Sequence, residues 1–281
     1  MSAESVYRSA EKKVNGFFFN DYEGAQELFD RAATLFKLEK NYTRAGEAFM
    51  RAGDCAVKLK DYFSSGKCFA DSANAYKKVD MKKANEMLDI AVKVYMDGNQ
   101  LDSATRLIRD FAETLAEQGA TMEAIPYYER AMRYFDAEDQ KAQSQKCMIA
   151  MAGIYGENDH FEEALRYYEC IANDMVSGPM KFKSRDYYVR AVLCRLALVS
   201  NDNRFEKTEE CRDALGHYLS SDIYLKNSRE YEFLELLLDA VSDCDVDKFS
   251  TATSMLHEMR QLDDWKTHVL LVIKHNMESI A

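Results

Sequence analysis

The stretch AGEAFMRAGDCAVKLKDYFSSGKCFADSANAYKK, residues 45–78, carries two copies of one pattern. Ala45, Phe49 and Ala52 form the first, and Phe69 with Ala73 the core of the second. Outward from this stretch the same beat runs from about Gly24 to Met175. Phe29, Phe49, Phe69, Leu88, Ile108, Tyr128, Met148 and Tyr168 recur at about twenty residues. Alanines flank them at helical spacing, among them Ala25, Ala84, Ala104, Ala124 and Ala164 before and Ala33, Ala112, Ala131, Ala152 and Ala172 after. A large side chain between small ones three or four positions away lets two helices approach closely and interdigitate. One such helix cannot bury its stripe alone, so the repeat predicts a stack. Short polar links, such as Glu39-Lys40-Asn41 and Lys60-Asp61, make successive helices antiparallel neighbours. The expected product is a twisted, two-layered slab with a concave edge.

Composition agrees. Only 2 prolines and 11 glycines occur in 281 residues, too few turn formers for a strand-rich chain. The formal net charge of -11 repels nucleic acid and anionic lipid from the chain as a whole, so any basic site must be local. No nucleic-acid partner is expected. The 7 cysteines are odd in number and lack metal-ligand spacing, which reads as reduced thiols of a cytosolic protein. No signal peptide and no apolar run long enough to span a membrane is recognisable.

Residues 3–14 read as a short amphipathic helix ended by Asn15-Gly16. Phe17-Phe18-Phe19 comes next. Three successive rings point about 100° apart and cannot share one helical stripe, so at least one faces solvent or a partner. The triplet reads either as a staple packed on the first repeat or, with Lys12 and Lys13 nearby, as a weak, reversible membrane contact. Pro126 is expected in the first turn of its helix, where its missing N–H costs little. The beat fades past Ser177-Gly178-Pro179, and helices are predicted at 184–199, 205–219, 227–242, 246–259 and 263–279. Trp265, Val269, Leu270 and Ile273 are expected in the core of this less periodic bundle. The predicted organisation is residues 1–22 as helix and hydrophobic loop, 23–178 as repeat sheet and 179–281 as capping bundle.

Chemistry is absent from the motifs. There is no phosphate-binding GxxxxGK[ST] or GxGxxG, no HExxH and no GxSxG. His268 and His275 lie seven apart, a weak metal hint without a third ligand. No catalytic residue, cofactor or metal is expected. A helical stack without chemistry is usually a scaffold that binds other proteins.

Several stretches together resemble the soluble NSF attachment proteins of the α type: the Phe17–Phe19 loop, RAATLFK (31–37), AGEAF (45–49), KCFADSANAYKK (67–78), EAIPYYERAMRYF (123–135), KCMIAMAG (146–153), KSRDYYVRAVLC (183–194), NSRE (227–230) and LDDWKTHVLLVIK (262–274). The fold this resemblance implies is an all-α, right-handed solenoid of antiparallel helical hairpins, longer than tetratricopeptide repeats, capped by a C-terminal bundle. The function it implies is that of an adaptor, not an enzyme. Such an adaptor is cytoplasmic and peripherally membrane-associated. It binds the SNARE four-helix bundle (syntaxin-like, SNAP-25-like and VAMP-like proteins) and recruits a hexameric NSF-type AAA ATPase that pulls the bundle apart.

Residue by residue, the resemblance implies SNARE contact at Arg106, Lys146, Arg185 and Arg229. Gln100 and Ala150 stand where the family usually has basic residues, and Arg109, Arg130 or Arg133 are the candidates to compensate. Phe17, Phe18 and Phe19 match the membrane-attachment loop, although the chain turns acidic just beyond them at Asp21 and Glu23. NSF contact is implied for Asp239 and Asp243, in an acidic run with Asp245 and Asp247, and for the penultimate apolar residue Ile280. Two alternatives stand beside this reading: a generic peptide-binding scaffold, and a divergent member that sequesters SNAREs without promoting disassembly.

Overall fold

A computed structural model describes residues 2–16, 20–178, 181–259 and 262–280, without the side chains of Asn201 and Ile280. The described residues form fourteen α-helices and three short 3-10 turns, with no strand. They divide into two compact units, Met1–Gly119 and Ala120–Ala281.

The first unit holds α1 (Ala3–Val14), α2 (Tyr22–Leu38), α3 (Tyr42–Lys58), α4 (Tyr62–Tyr76), α5 (Met81–Asp97) and α6 (Leu101–Glu117). The second holds α7 (Thr121–Ala137), α8 (Lys141–Glu157), α9 (Phe161–Val176), α10 (Ser184–Ala197), α11 (Arg204–Ser221), α12 (Arg229–Asp243), α13 (Val246–Met259) and α14 (Asp264–Ile280). The five predicted helices past residue 180 match α10 to α14 to within about two residues at each end.

Five reversals between α2 and α9 use one backbone device. Lys40 (φ 58°), Lys60 (59°), Asn99 (55°), Asp139 (55°) and Asp159 (62°) adopt the left-handed conformation. The next residue then donates its N–H five positions back: Asn41 to Phe36 (2.9 Å), Asp61 to Ala56 (3.0 Å), Gln100 to Tyr95 (2.8 Å), Gln140 to Phe135 (2.8 Å) and His160 to Tyr155 (2.9 Å). This is the Schellman helix exit, which satisfies the last carbonyls and turns the chain sharply. The α4–α5 link differs: Asp80 N–H reaches Tyr76 O at 2.7 Å with no left-handed residue.

Of the eight beat residues, Phe29, Phe49, Phe69, Leu88, Ile108, Tyr128 and Tyr168 are buried. Met148 is only partly buried, and Cys147 and Met151 take the core positions of α8. Residues 147–154 are apolar or small throughout, so spacing cannot choose a face there. Small residues do bring helices close. A Cβ on Gly46 of α3 would lie 2.7 Å from the Tyr76 ring, and one on Gly66 of α4 would lie 2.6 Å from the Tyr95 ring. The buried Ser72 hydroxyl donates to Gly46 O at 2.8 Å across the same contact.

Pro126 corrects an expectation. It lies in the second turn of α7, not the first, because α7 begins at Thr121. Its missing N–H therefore removes a bond that Met122 O would have accepted.

The second unit has a larger core. Tyr168, Tyr188, Leu193, Phe233, Leu237, Val269 and Ile273 are all buried in one cluster. Trp265 is buried with them, its ring 5.2 Å from Tyr168 edge to face. The sequence break at Ser177-Gly178 falls inside this unit. Across it, Tyr188 donates to Asn173 at 3.0 Å and Arg195 to Glu169 at 2.6 Å, tying α10 to α9.

Candidate functional site

Phe17, Phe18 and Phe19 lie outside the described residues. The chain on either side of them is described, and its ends are tied together. Asp21 N–H reaches Lys13 O at 3.1 Å, and the Lys13 ammonium donates to Asp21 Oδ2 at 2.6 Å. Asp21 Oδ1 accepts the Gly24 N–H at 2.9 Å and so caps α2. The Lys13 hydrogen bond, then that of Gly24, holds the Asp21 carboxyl below the usual range.

The four candidate basic residues differ in how free they are. Lys146, on α8, is exposed and makes no ion pair among the described residues. Arg229 is the first residue of α12, exposed behind the Ser228 cap, and likewise makes no ion pair there. Arg106, on α6, is exposed, with its Nε 3.1 Å from Asp102 one turn before. Pairs of this kind are worth a few tenths of a kcal/mol and release readily. Arg185 is different: it is half-buried and donates from Nε to Asp222 at 3.1 Å, a carboxylate with only 10% of its side chain exposed. Its guanidinium also lies 5.9 Å from the Phe182 ring. It joins the start of α10 to the end of α11.

Arg109 is held by Asp110 at 2.7 Å and Glu113 at 3.4 Å on its own helix, whereas Arg133 is exposed. Of the candidates to replace the charges missing at Gln100 and Ala150, Arg133 is thus freer than Arg109.

The acidic run sits at the α12–α13 turn. Cys244 is left-handed (φ 54°), and Asp245 N–H reaches Ala240 O at 2.9 Å, the same exit the repeats use. Asp245 Oδ1 accepts the N–H groups of Asp247 (3.0 Å) and Lys248 (2.9 Å), capping α13. Asp239 is paired with Arg212 at 2.6 Å and Asp243 with Lys248 at 2.6 Å. The Lys248 hydrogen bond holds the Asp243 carboxyl below its usual range. Three of the four aspartates, Asp239, Asp243 and Asp245, are therefore partly neutralised by their own unit, and Asp245 serves its helix. Ile280 closes α14, its side chain outside the described residues; Glu278 in the same turn faces Lys274 at 3.6 Å.

A second charged cluster was not legible by spacing. Asp186 accepts from Lys266 Nζ at 2.6 Å and from Arg190 Nε at 3.3 Å, and Arg190 also reaches Asp263 at 2.5 Å. The Arg190 guanidinium lies 4.7 Å from the Trp265 ring. The Arg190–Asp263 and Asp186–Lys266 pairs join residues 73 and 80 positions apart in sequence, and they pin the start of α14 onto α10.

Among the described residues no group of three or more His, Cys, Asp or Glu side chains could hold a metal. His268 instead meets Asp159 at 2.9 Å. Burial pushes the thiols of Cys68 and Cys211 up to about 12, which leaves them inert at neutral pH. No described helix is long and apolar enough to cross a membrane. What the arrangement offers is exposed charge on rigid helices.

The family model described as "Soluble NSF attachment protein, SNAP" matches residues 1–278. The chain belongs to this family. It is 28% identical to mouse α-soluble NSF attachment protein over 98% of this chain and 92% of that one. The Vitis vinifera α protein is 27% identical over 98% of this chain and 94% of its own. The vesicular-fusion protein SEC17 of Komagataella phaffii is 28% identical over 98% and 95%. A solved Pyrococcus horikoshii STAND protein with a tetratricopeptide repeat sensor superposes at a TM-score of 0.45, with 14% identity over 99% of this chain and 44% of that one.

Proposed function

We propose that this protein is a SNARE adaptor: it binds assembled SNARE four-helix bundles and recruits an NSF-type hexameric ATPase, which dismantles them. It acts in the cytoplasm and attaches to membranes peripherally. The observation that carries the reading is family membership over residues 1–278, which spans both compact units. The exposed, weakly engaged side chains of Arg106, Lys146 and Arg229 support it, because rigidly mounted basic groups suit an acidic helical bundle. Arg185 enters as a residue that orients its neighbourhood through Asp222 and lends one charge to it. Several modest contacts suffice where several copies bind together.

The test is binding to a purified, detergent-solubilised SNARE complex. Arg106→Glu with Lys146→Glu should weaken binding about tenfold or more and flatten its salt dependence. Binding that is indifferent to both salt and the double reversal would remove the adaptor reading and leave a generic peptide scaffold.

A second reading has a specific observation behind it. Asp239 and Asp243 are both spoken for by Arg212 and Lys248. On this reading the protein holds SNARE complexes without stimulating the ATPase. Arg212→Gln with Lys248→Gln frees both acids; a gain in ATPase recruitment would favour the second reading, and no change would favour the first.

A further inference from the structure

Seven consecutive residues, Val57-Lys58-Leu59-Lys60-Asp61-Tyr62-Phe63, are all exposed at the turn from α3 to α4. Four of them are large and apolar: Val57 is 45% exposed, Leu59 44%, Tyr62 42% and Phe63 55%. The corresponding reversal two helices on, aligned on its left-handed residue, is Met96-Asp97-Gly98-Asn99-Gln100-Leu101-Asp102; it holds two large apolar residues, two aspartates and no lysine. Solvent contact alone does not account for such a concentration at one turn.

We propose that the α3–α4 turn is an interfacial contact for an anionic lipid surface. Three features fit that occupant. First, three successive N–H groups of the turn are already bonded. Leu59 N–H bonds to Cys55 O at 3.1 Å, Lys60 N–H to Val57 O at 3.0 Å and Asp61 N–H to Ala56 O at 3.0 Å. Backbone groups that are already bonded cost less to bring against the apolar edge of a headgroup layer. The one carboxylate, Asp61, is engaged too: its Oδ1 accepts the Ser64 N–H at 3.0 Å.

Second, the charges have the right sign and position. Lys58 and Lys60 alternate with Val57 and Leu59, are exposed and make no ion pair among the described residues. In a chain of net charge -11, this local excess is what an anionic surface can select. Third, Tyr62 supplies an amphipathic ring next to Phe63, the residue type that settles at headgroup depth.

The turn also has a described neighbour. Val14 and Tyr22, which flank Phe17–Phe19 in the chain, line one recess of about 330 Å³ together with Val57 and Lys58. The end of α1 thus lies beside the turn. The proposal does not depend on SNARE or ATPase binding, and Phe17–Phe19 are not part of the site.

Flotation of the full chain with vesicles of phosphatidylcholine, with and without phosphatidylserine, tests it in the absence of any protein partner. Leu59→Ser with Phe63→Ser, leaving Phe17–Phe19 intact, should reduce the bound fraction about tenfold. Lys58→Gln with Lys60→Gln should remove the preference for phosphatidylserine, about fivefold per lysine. Leu38→Ser, a control at the α2–α3 turn where Leu38 is 76% exposed, should change nothing. The Phe63 ring also meets Tyr95, 6.4 Å between centroids, so thermal unfolding is measured for each variant, and flotation is compared below the lowest midpoint. Flotation that survives Leu59→Ser with Phe63→Ser, or that depends on Phe17–Phe19 alone, overturns the proposal. So does a wild-type protein that does not float. Loss of SNARE-complex binding in detergent with flotation intact would reassign the turn to a protein partner.

Discussion

The turn between α3 and α4 and the turn between α7 and α8 leave their first helices identically and enter the second ones differently. Lys60 and Asp139 are both left-handed, and the next residue donates five positions back in each. At the entry, Asp61 Oδ1 accepts the Ser64 N–H at 3.0 Å, whereas Gln140 makes no cap bond. The contrast holds for most neighbours. Asn41 and Asp80 cap α3 and α5 in the first unit, where only Gln100 leaves its helix, α6, uncapped; His160 does not cap α9 in the second, where among the described residues α-helix caps return only at Ser228, Asp245 and Asp263. The exit is a backbone conformation that any residue tolerant of positive φ can adopt, while the entry needs a short side-chain acceptor. Local capping devices are thus denser in the first unit, which carries one long-range pair, Arg44 with Glu4 at 2.8 Å, beside its own core. The second relies on a large shared core and long-range ion pairs such as Asp186 with Lys266 and Arg190 with Asp263.

The largest expected effect breaks the long-range side. Asp186→Ala leaves Lys266, 6% exposed at its side chain, without its 2.6 Å partner and with Asp263 at 3.9 Å. It should cost about 3 kcal/mol, since a buried charge that loses its near partner is the expensive case. Adding Lys266→Met should recover most of that loss. Trp265 is the sole tryptophan and lies in this cluster, so its fluorescence in urea reports the change. A loss below about 1 kcal/mol would mean that the ion pairs do not hold this unit together.

On the local side, Gly46→Ala drives a methyl into the Tyr76 ring, 2.7 Å from the new carbon. The expected loss is about 2 kcal/mol, measured by circular dichroism in urea. Lys77 gives a pH signature in the same unit. Its buried ammonium lies 4.2 Å from the Phe111 ring with no hydrogen-bond partner, and burial lowers its pKa from 10.5 to about 8. Between those values the unfolded chain holds a proton that the folded chain has released, so stability from this group rises with pH. Lys77→Met should therefore be more stable than the wild type at pH 7, with the gap closing by about 2 kcal/mol toward pH 10. A gap independent of pH would show that the amine is not the titrating group.

The smallest effects sharpen the comparison at its origin. Asp61→Ala should cost about 1 kcal/mol. Gln140→Asp, which gives α8 the cap that α4 has, should gain about 0.5–1 kcal/mol, read as a rise in thermal midpoint. Equal and opposite shifts would confirm that the two turns differ only at their caps.

Much of this architecture was legible because it is local. A ring every twenty residues between alanines places seven of eight stripe residues in the core, from Phe29 to Tyr168. It failed at Met148, where an almost continuously apolar segment has no periodicity to read, and at Pro126, where one turn of error in the helix start reverses the cost of a proline. The candidate surfaces were legible only in part. Their residue types come from the family pattern, but which charges are free does not. Arg185 is committed to Asp222, 37 positions away, and Asp239 to Arg212, 27 away. Pairing over such distances leaves no mark in spacing. It also separates Lys146 and Arg229, exposed and unpaired among the described residues, from Arg185, which looked equivalent to them in sequence.

The measurement that bears most directly on the adaptor reading is disassembly of a purified SNARE complex by an NSF-type ATPase and ATP, with and without this protein. Lys146→Glu with Arg229→Glu should run beside it, as should removal of residues 279–281, a cut that spares the buried Met277. The account predicts disassembly that requires the protein and falls at least tenfold in the charge-reversed variant, whose unfolding should be unchanged. Disassembly at the same rate without the protein, or with the reversed variant, would contradict it.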